Sequence, residues 1–263
     1  MIGLFFGTTD FPKRILENIK KKKVKYFIID LTNNRVFKKD KNSYYINIGK
    51  FGQILRLIKE KKCKKVLFAG KIDKPKISKM RLDLKGVYYI PRIIKAAKLG
   101  DAAILKELIK ILSENKIKVI KSNFFNPELT LSKGNYTKLK VNKLNQENIR
   151  IGLNDLNMMN SYNHVQGLVV RNKKVIIRET EKGTKRMLLL VKKHKKHSGI
   201  LIKFPKKKQD KRADLPTIGL ETLKDCSKAG INGIVLKSNQ NIFLDKIKSI
   251  NYANKKKIFI KII

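Results

Sequence analysis

The chain has 263 residues, enough for one large domain or two ordinary ones with proper cores. Hydrophobic residues make up 42%, Trp is absent, and Lys+Arg number 63 against Asp+Glu 20, a formal charge of +43. No run of about 18 apolar residues occurs, which argues against a membrane-spanning helix.

The first half alternates strand and helix signals. Residues 2–6 form a short apolar run ending at Gly7, and 11–23 then show helical spacing with Pro12 suited to a first turn. Met1 leads straight into that first strand, so no signal peptide is expected. Residues 24–30 and 44–48 read as strands, and 53–62 as an amphipathic helix with Ile54, Leu55, Leu57 and Ile58 inward. Residues 66–69 form a fourth strand closed by Gly70. Two helices, 91–99 and 101–115, flank Gly100, and 117–120 is a further strand. Strands alternating with helices of this length imply a parallel sheet covered on both faces.

Turn chemistry follows at Asn126-Pro127 and from Ser132 to Asn135, which puts a domain boundary near 133. The second half opens with a helix over 146–160. A hairpin over 166–170 and 175–178, a helix over 184–193 and a strand over 199–203 come next. Residues 214–219 read as a loop feeding a helix over 220–229, with strands over 233–236, 241–244 and 258–262. The expected fold is α/β. An N-terminal Rossmann-like parallel-sheet domain occupies 1–133, and a C-terminal mixed α/β domain occupies 134–263.

A dense cationic surface attracts phosphate without reading sequence, so +43 raises a nucleic-acid-binding reading. Against it, the cations run along the whole chain and Lys outnumbers Arg about five to one, whereas base readout favours clustered Arg. Abundant Lys, Asn and Ile are also what an AT-rich genome writes. No helix-turn-helix or aromatic single-strand pattern is present, and no specific nucleic-acid partner is expected. A basic surface equally suits an anionic leaflet or a pyrophosphate. Cys63 and Cys226 lack metal-ligand spacing, which fits a reducing cytosol.

Several segments carry candidate chemistry. The junction from Gly7 through Thr8, Thr9 and Asp10 opens a helix, where free N–H groups meet phosphate, although a plain N-cap accounts for the same residues. Gly70 and Lys71 leave the carboxyl end of a parallel strand, the edge where open α/β sheets bind ligands; an ordinary strand exit is the alternative. Asp101 either caps its helix or faces a ligand. From Lys203 to Gly219, a carboxylate, Asp214, stands among cations beside a Leu215-Pro216 turn. Pyrophosphate hydrolysis needs cations to offset phosphoryl charge and a carboxylate to hold a metal or orient water. The alternative is a surface loop in which Asp214 pairs with Arg212. His164, His194 and His197 form no metal pattern.

Together these segments resemble the LpxI family of UDP-2,3-diacylglucosamine pyrophosphatases of lipid A biosynthesis, nearly end to end. The opening from Gly3 to Pro12 resembles the family's glycine loop, and Phe68-Ala69-Gly70-Lys71 with Lys74-Pro75 its F-A-G-K-x-x-[RK]-P element. Gly100-Asp101-Ala102 stands at G-D-D, Pro127-Glu128-Leu129 at P-E-L, and Gln166 at the Gln of D-[VI]-G-Q. Glu179, Gly183-Thr184 and Met187-Leu188 resemble E-x-x-E-G-T-D-x-M-L. Lys203-Phe204-Pro205-Lys206 matches K-x-P-K. The run from Gln209 to Gly219 is close to Q-D-x-R-x-D-L-P-T-I-G, and Ala229 to Ile234 to A-G-L-x-G-I.

The resemblance implies a magnesium-assisted attack of water on the α-phosphate of a lipid-linked UDP-sugar. It implies Asp214 as the catalytic carboxylate and, with Glu179, as a metal ligand. Lys203, Lys206 and Arg212 would face phosphate oxygens. Gln166, Thr184, Thr217, Thr8, Gly70, Lys71 and Asp101 would bind substrate. A cytoplasmic homodimer, peripheral on the inner membrane, goes with it. The family's carboxylates are replaced by Lys182, Lys185 and Ala102, and its D-[VI]-G-Q reads Asn163-His164-Val165-Gln166. These departures keep a binding-only homologue open as a second reading.

Overall fold

The computed structural model describes residues 1–72, 80–159, 165–192, 198–206 and 209–263. Asp73, Lys74, Pro75, His164, His194 and His197 lie outside the described residues. By contacts the chain forms two units, Met1–Pro127 with Asp210–Asp214, and Glu128–Gln209 with Leu215–Ile263.

The first unit contains β1 (Ile2–Phe6), α1 (Phe11–Lys21), β2 (Tyr26–Asp30), β3 (Ser43–Tyr45), α2 (Phe51–Glu60), β4 (Lys65–Ala69), α3 (Leu84–Ala97), α4 (Asp101–Glu114) and β5 (Lys118–Val119). All five strands are parallel, in the order β3-β2-β1-β4-β5. That order reverses between β1 and β4, the switch point of an open α/β sheet. Residues of both parities along β1, β2 and β4 are buried, which is why these strands read as continuous apolar runs. Phe5, Phe27, Ile29, Val66 and Phe68 share one core with α2 and α4. Leu4, Phe6, Ile28 and Leu67, of opposite parity, are just as buried.

Helix α3 starts at Leu84, well before the start at Pro91 that the sequence suggests, and Pro91 sits inside it. The reason is Asp83. Its carboxylate accepts from Gly86 N at 2.8 Å, and also from Gly52 N and Gln53 N at 3.0 Å each, so one side chain caps α3 and α2 together. Burial would raise the Asp83 pKa, but these three N–H groups and nearby Lys50 hold it below the usual carboxylate range.

The second unit contains β6 (Gly134–Asn135), α5 (Lys143–Met158), β7 (Gly167–Arg171), β8 (Lys174–Arg178), α6 (Gly183–Leu189), β9 (Ile200–Lys203), β10 (Thr217–Ile218), α7 (Leu220–Lys228), β11 (Gly233–Leu236), β12 (Ile242–Phe243), α8 (Lys246–Lys255) and β13 (Phe259–Ile262). Its main sheet is mixed, β6-β13-β11-β9-β7-β8, with β13, β11 and β9 parallel and β6, β7 and β8 antiparallel to their neighbours. Side chains alternate between two cores. Leu168, Val170, Ile200, Ile202 and Val235 pack toward Ile149, Leu153 and Leu156 of α5. Val169, Leu201, Ile234 and Leu236 pack with Met187 and Leu188 of α6, Leu223 and Cys226 of α7, and Ala253 of α8. Helix α8 has no expected counterpart, because it buries the small residues Ser249 and Ala253 and shows no long apolar stripe. Among the described residues, no helix is long and apolar enough to cross a membrane.

Candidate functional site

In the first unit, Phe6 pairs with Ala69, so the loops leaving β1 and β4 emerge side by side at the switch point. There they bind each other through the main chain. Gly7 N donates to Ala69 O at 2.9 Å, Thr8 N to Lys71 O at 2.8 Å, and Lys71 N to Thr8 O at 3.0 Å. The Thr8 hydroxyl adds a bond to Lys71 O at 3.0 Å. Glycine is required at both crossings. A Cβ on Gly7 would stand 2.2 Å from Lys71 O, and one on Gly70, whose φ is +86°, would stand 2.4 Å from Thr8 O. Thr8, Gly70 and Lys71 are therefore brought together, with Lys71 exposed. Asp10 holds the N-cap position of α1 without a side-chain cap bond.

Asp101 is the first residue of α4, after Gly100 at the N-cap, where its charge suits the helix dipole. Ala102 beside it is buried. Segment 210–214 also belongs to this unit. Ser122 N donates to Arg212 O at 2.6 Å, and Ala213 packs on the core of Phe5 and Phe68. The Arg212 guanidinium forks onto Asp210, Nε to Oδ1 at 3.0 Å and Nη2 to Oδ2 at 2.7 Å. Burial would raise the Asp210 pKa, but Arg212 more than offsets it and holds the carboxyl below its ordinary range. Arg212 is thus paired with Asp210. Asp214 is half-buried, and its N–H donates to Asp210 O at 3.0 Å.

The second unit gathers side chains at the carboxyl edge of its parallel strands. Lys203 ends β9, flanked by Leu236 of β11 and Gly167 of β7. Glu179 follows β8, its N–H donating to Gly167 O at 2.8 Å. Thr184 lies in the first turn of α6. The Thr184 hydroxyl donates to Glu179 Oε1 at 2.6 Å. Lys203 Nζ lies 3.5 Å from the same oxygen and hydrogen-bonds Thr184 Oγ1. The Lys203 and Glu179 side chains are only 9% and 7% exposed. Glu179 Oε2 is buried and has no hydrogen-bond partner among the described residues.

Beside this trio, Gln166 Nε2 donates to Gln209 Oε1 at 3.1 Å, and Lys206 N donates to the same oxygen at 2.9 Å. Asn241 Nδ2 donates to Lys203 O at 3.0 Å. Gln209 and Asn241 are both buried and were not singled out from the sequence. Gln209 stood inside a quoted motif, whereas Asn241 carries no local signal. Thr217 begins β10, is exposed, and turns its hydroxyl to Leu215 O at 3.4 Å. Lys182 and Lys185 are exposed at the start of α6. Among the described residues, no three His, Cys, Asp or Glu side chains gather as a metal cage.

Chemically, the second unit offers a buried ammonium, a carboxylate with one oxygen open to a cation, a hydroxyl and two amides. That set suits a charged, oxygen-rich ligand such as a phosphate ester. Fold and site together define an α/β protein of two units, each with candidate polar groups at the carboxyl edge of its parallel strands. The family model described as the LpxI N-terminal domain matches residues 1–129, and that of the LpxI C-terminal domain matches 132–261. The chain belongs to the LpxI family. It is similar to the UDP-2,3-diacylglucosamine pyrophosphatase LpxI of Caulobacter vibrioides, 28% identical over 223 residues, which is 82% of this chain and 80% of the relative.

Proposed function

We propose that this protein hydrolyses the pyrophosphate of UDP-2,3-diacylglucosamine. Water attacks the α-phosphorus, the bond to the bridging oxygen breaks, and UMP and 2,3-diacylglucosamine 1-phosphate leave. Family membership supports the reaction, and the buried Lys203–Glu179–Thr184 cluster is the observation that carries it. Lys203 and Lys206 meet phosphoryl oxygens, with Gln166 and Thr184 binding the glucosamine or phosphate. Lys71, Thr8, Asp101 and Thr217 supply further substrate contacts, and Gly70 keeps the Thr8 and Lys71 loops together. Arg212 reaches phosphate from its fork on Asp210. Asp214 orients the attacking water.

The residues fit a divalent cation held largely by substrate phosphate, because magnesium needs only one or two protein carboxylates. Glu179 Oε2, buried without a hydrogen-bond partner among the described residues, is an oxygen that a cation would satisfy. Bound there, magnesium would supply charge neutralisation at the phosphoryl oxygens. The protein acts in the cytoplasm as a homodimer, peripheral on the inner membrane that holds its substrate.

The test is product separation from labelled UDP-2,3-diacylglucosamine, with and without magnesium. Release of UMP and the acylated sugar phosphate is expected, and Asp214→Ala should lower turnover about 100-fold or more while remaining folded. Unchanged turnover in that variant removes Asp214 from the mechanism. The exposed Lys182 and Lys185, standing where the family has carboxylates, favour a second reading in which the protein binds this substrate without cleaving it. Tight binding with no turnover in any divalent metal would select that reading.

A further inference from the structure

Helix α3 is apolar on two faces. Gly86, Tyr89 and Ala96 face the interior. On the opposite face, Leu84 is 90% exposed, Val87 55% and Tyr88 68%, and Pro91 is exposed one turn on. Spacings of three, four and seven residues put these side chains on one stripe. A contiguous apolar stripe left exposed on a helix marks a surface that another apolar phase covers.

The charges around the stripe indicate what covers it. Lys95 and Lys98 continue the same outward face in the last turn, and Arg81 and Lys85 flank its start, all four exposed. Lys85 Nζ lies 5.9 Å from the Tyr88 ring centroid. No acidic residue occurs in α3. Asp83 beside it is engaged by three backbone N–H groups. Two copies meeting through this face would bring like charges together. An anionic bilayer satisfies both halves of the pattern: leucine, valine and tyrosine enter the headgroup boundary while lysine and arginine meet lipid phosphates.

We infer that the outward face of α3 is the surface by which this protein docks on anionic lipid, Leu84, Val87 and Tyr88 entering the interface and Arg81, Lys85, Lys95 and Lys98 ringing them. The inference deepens the membrane association proposed above and rests on it.

The test is co-sedimentation of the full-length protein with vesicles of phosphatidylcholine, alone or mixed with phosphatidylglycerol. The wild type should pellet with the mixed vesicles and should be released only in part by high salt. The double variant Val87→Glu, Tyr88→Glu should partition about tenfold less or weaker still. It should hydrolyse detergent-dispersed UDP-2,3-diacylglucosamine at the wild-type rate. Should that variant melt early, Leu84→Glu, at the most exposed position of the stripe, replaces it. Wild-type partitioning by the glutamate variants, or complete release of the wild type by salt, would overturn the inference. Conversion of a dimer to a monomer by the double variant, measured by sedimentation equilibrium, would assign the face to a second copy and overturn it too. Absence of hydrolysis by every form would sink the proposed reaction but leave the vesicle result standing, so the two failures are distinct.

Discussion

The two units place candidate residues at the carboxyl edges of their parallel strands but hold them by different means. In the first, the loops after β1 and β4 are tied by main-chain bonds, and the side chains of Thr8 and Lys71 are left near or at the surface. In the second, the groups are the side chains themselves, buried or half-buried and bonded to one another. A loop fastened by its backbone tolerates side-chain change but not an added Cβ. A buried polar cluster tolerates little, because each lost partner strands another group away from water.

The sharpest way to break this contrast is Lys203→Met. It leaves Glu179 buried without its cation, so a stability loss of about 3–5 kcal/mol in urea unfolding is expected, together with loss of turnover. Adding Glu179→Gln should recover most of the stability and none of the turnover. A single variant as stable as wild type would mean that the cluster is not a coupled unit.

Next in size is Gly70→Ala, the equivalent lesion in the first unit. A positive φ and a carbonyl 2.4 Å from the new Cβ should cost about 2–3 kcal/mol. Thr8→Val, which keeps the main-chain bonds, should lie close to wild type by the same unfolding measurement. Equal losses from the two substitutions would remove the backbone-tied description.

Asp83→Ala should cost about 1–2 kcal/mol, since one carboxylate caps two helices. The Asp83 pKa is lowered by folding, so its contribution is complete above the unfolded value of about 3.9 and is lost as pH falls through the lower folded value. Acid titration of stability should therefore be flatter in the variant below about pH 4. An unchanged acid slope would separate Asp83 from the stability of the first unit.

The smallest effect expected is from Arg92→Met. Arg92 bridges Glu107 at 2.6 Å and Glu114 at 2.7 Å across α3 and α4, in a partly solvent-exposed position. Its slight loss in thermal melting should fade in about 1 M salt. A loss that persists in salt would give the first unit a stronger polar contribution than the contrast allows.

What the sequence alone determined is what local pattern can carry. Apolar runs ending in Gly7 and Gly70 marked β1 and β4, alternation with helices implied the parallel sheet, and the motif from Gln209 to Gly219 pointed to the family. Pro91 is a strong local signal that places the start of α3 too late, whereas the cap on Asp83 also serves α2, about thirty residues away in sequence. Only the tertiary structure decided that Thr8 meets Lys71, that segment 210–214 belongs with the first unit, that Arg212 pairs with Asp210, and that Glu179, Thr184 and Lys203 share one buried cluster. Periodicity reports which face of an element is buried. Which distant element meets it depends on strand order and register, and these follow from the packing of the whole chain.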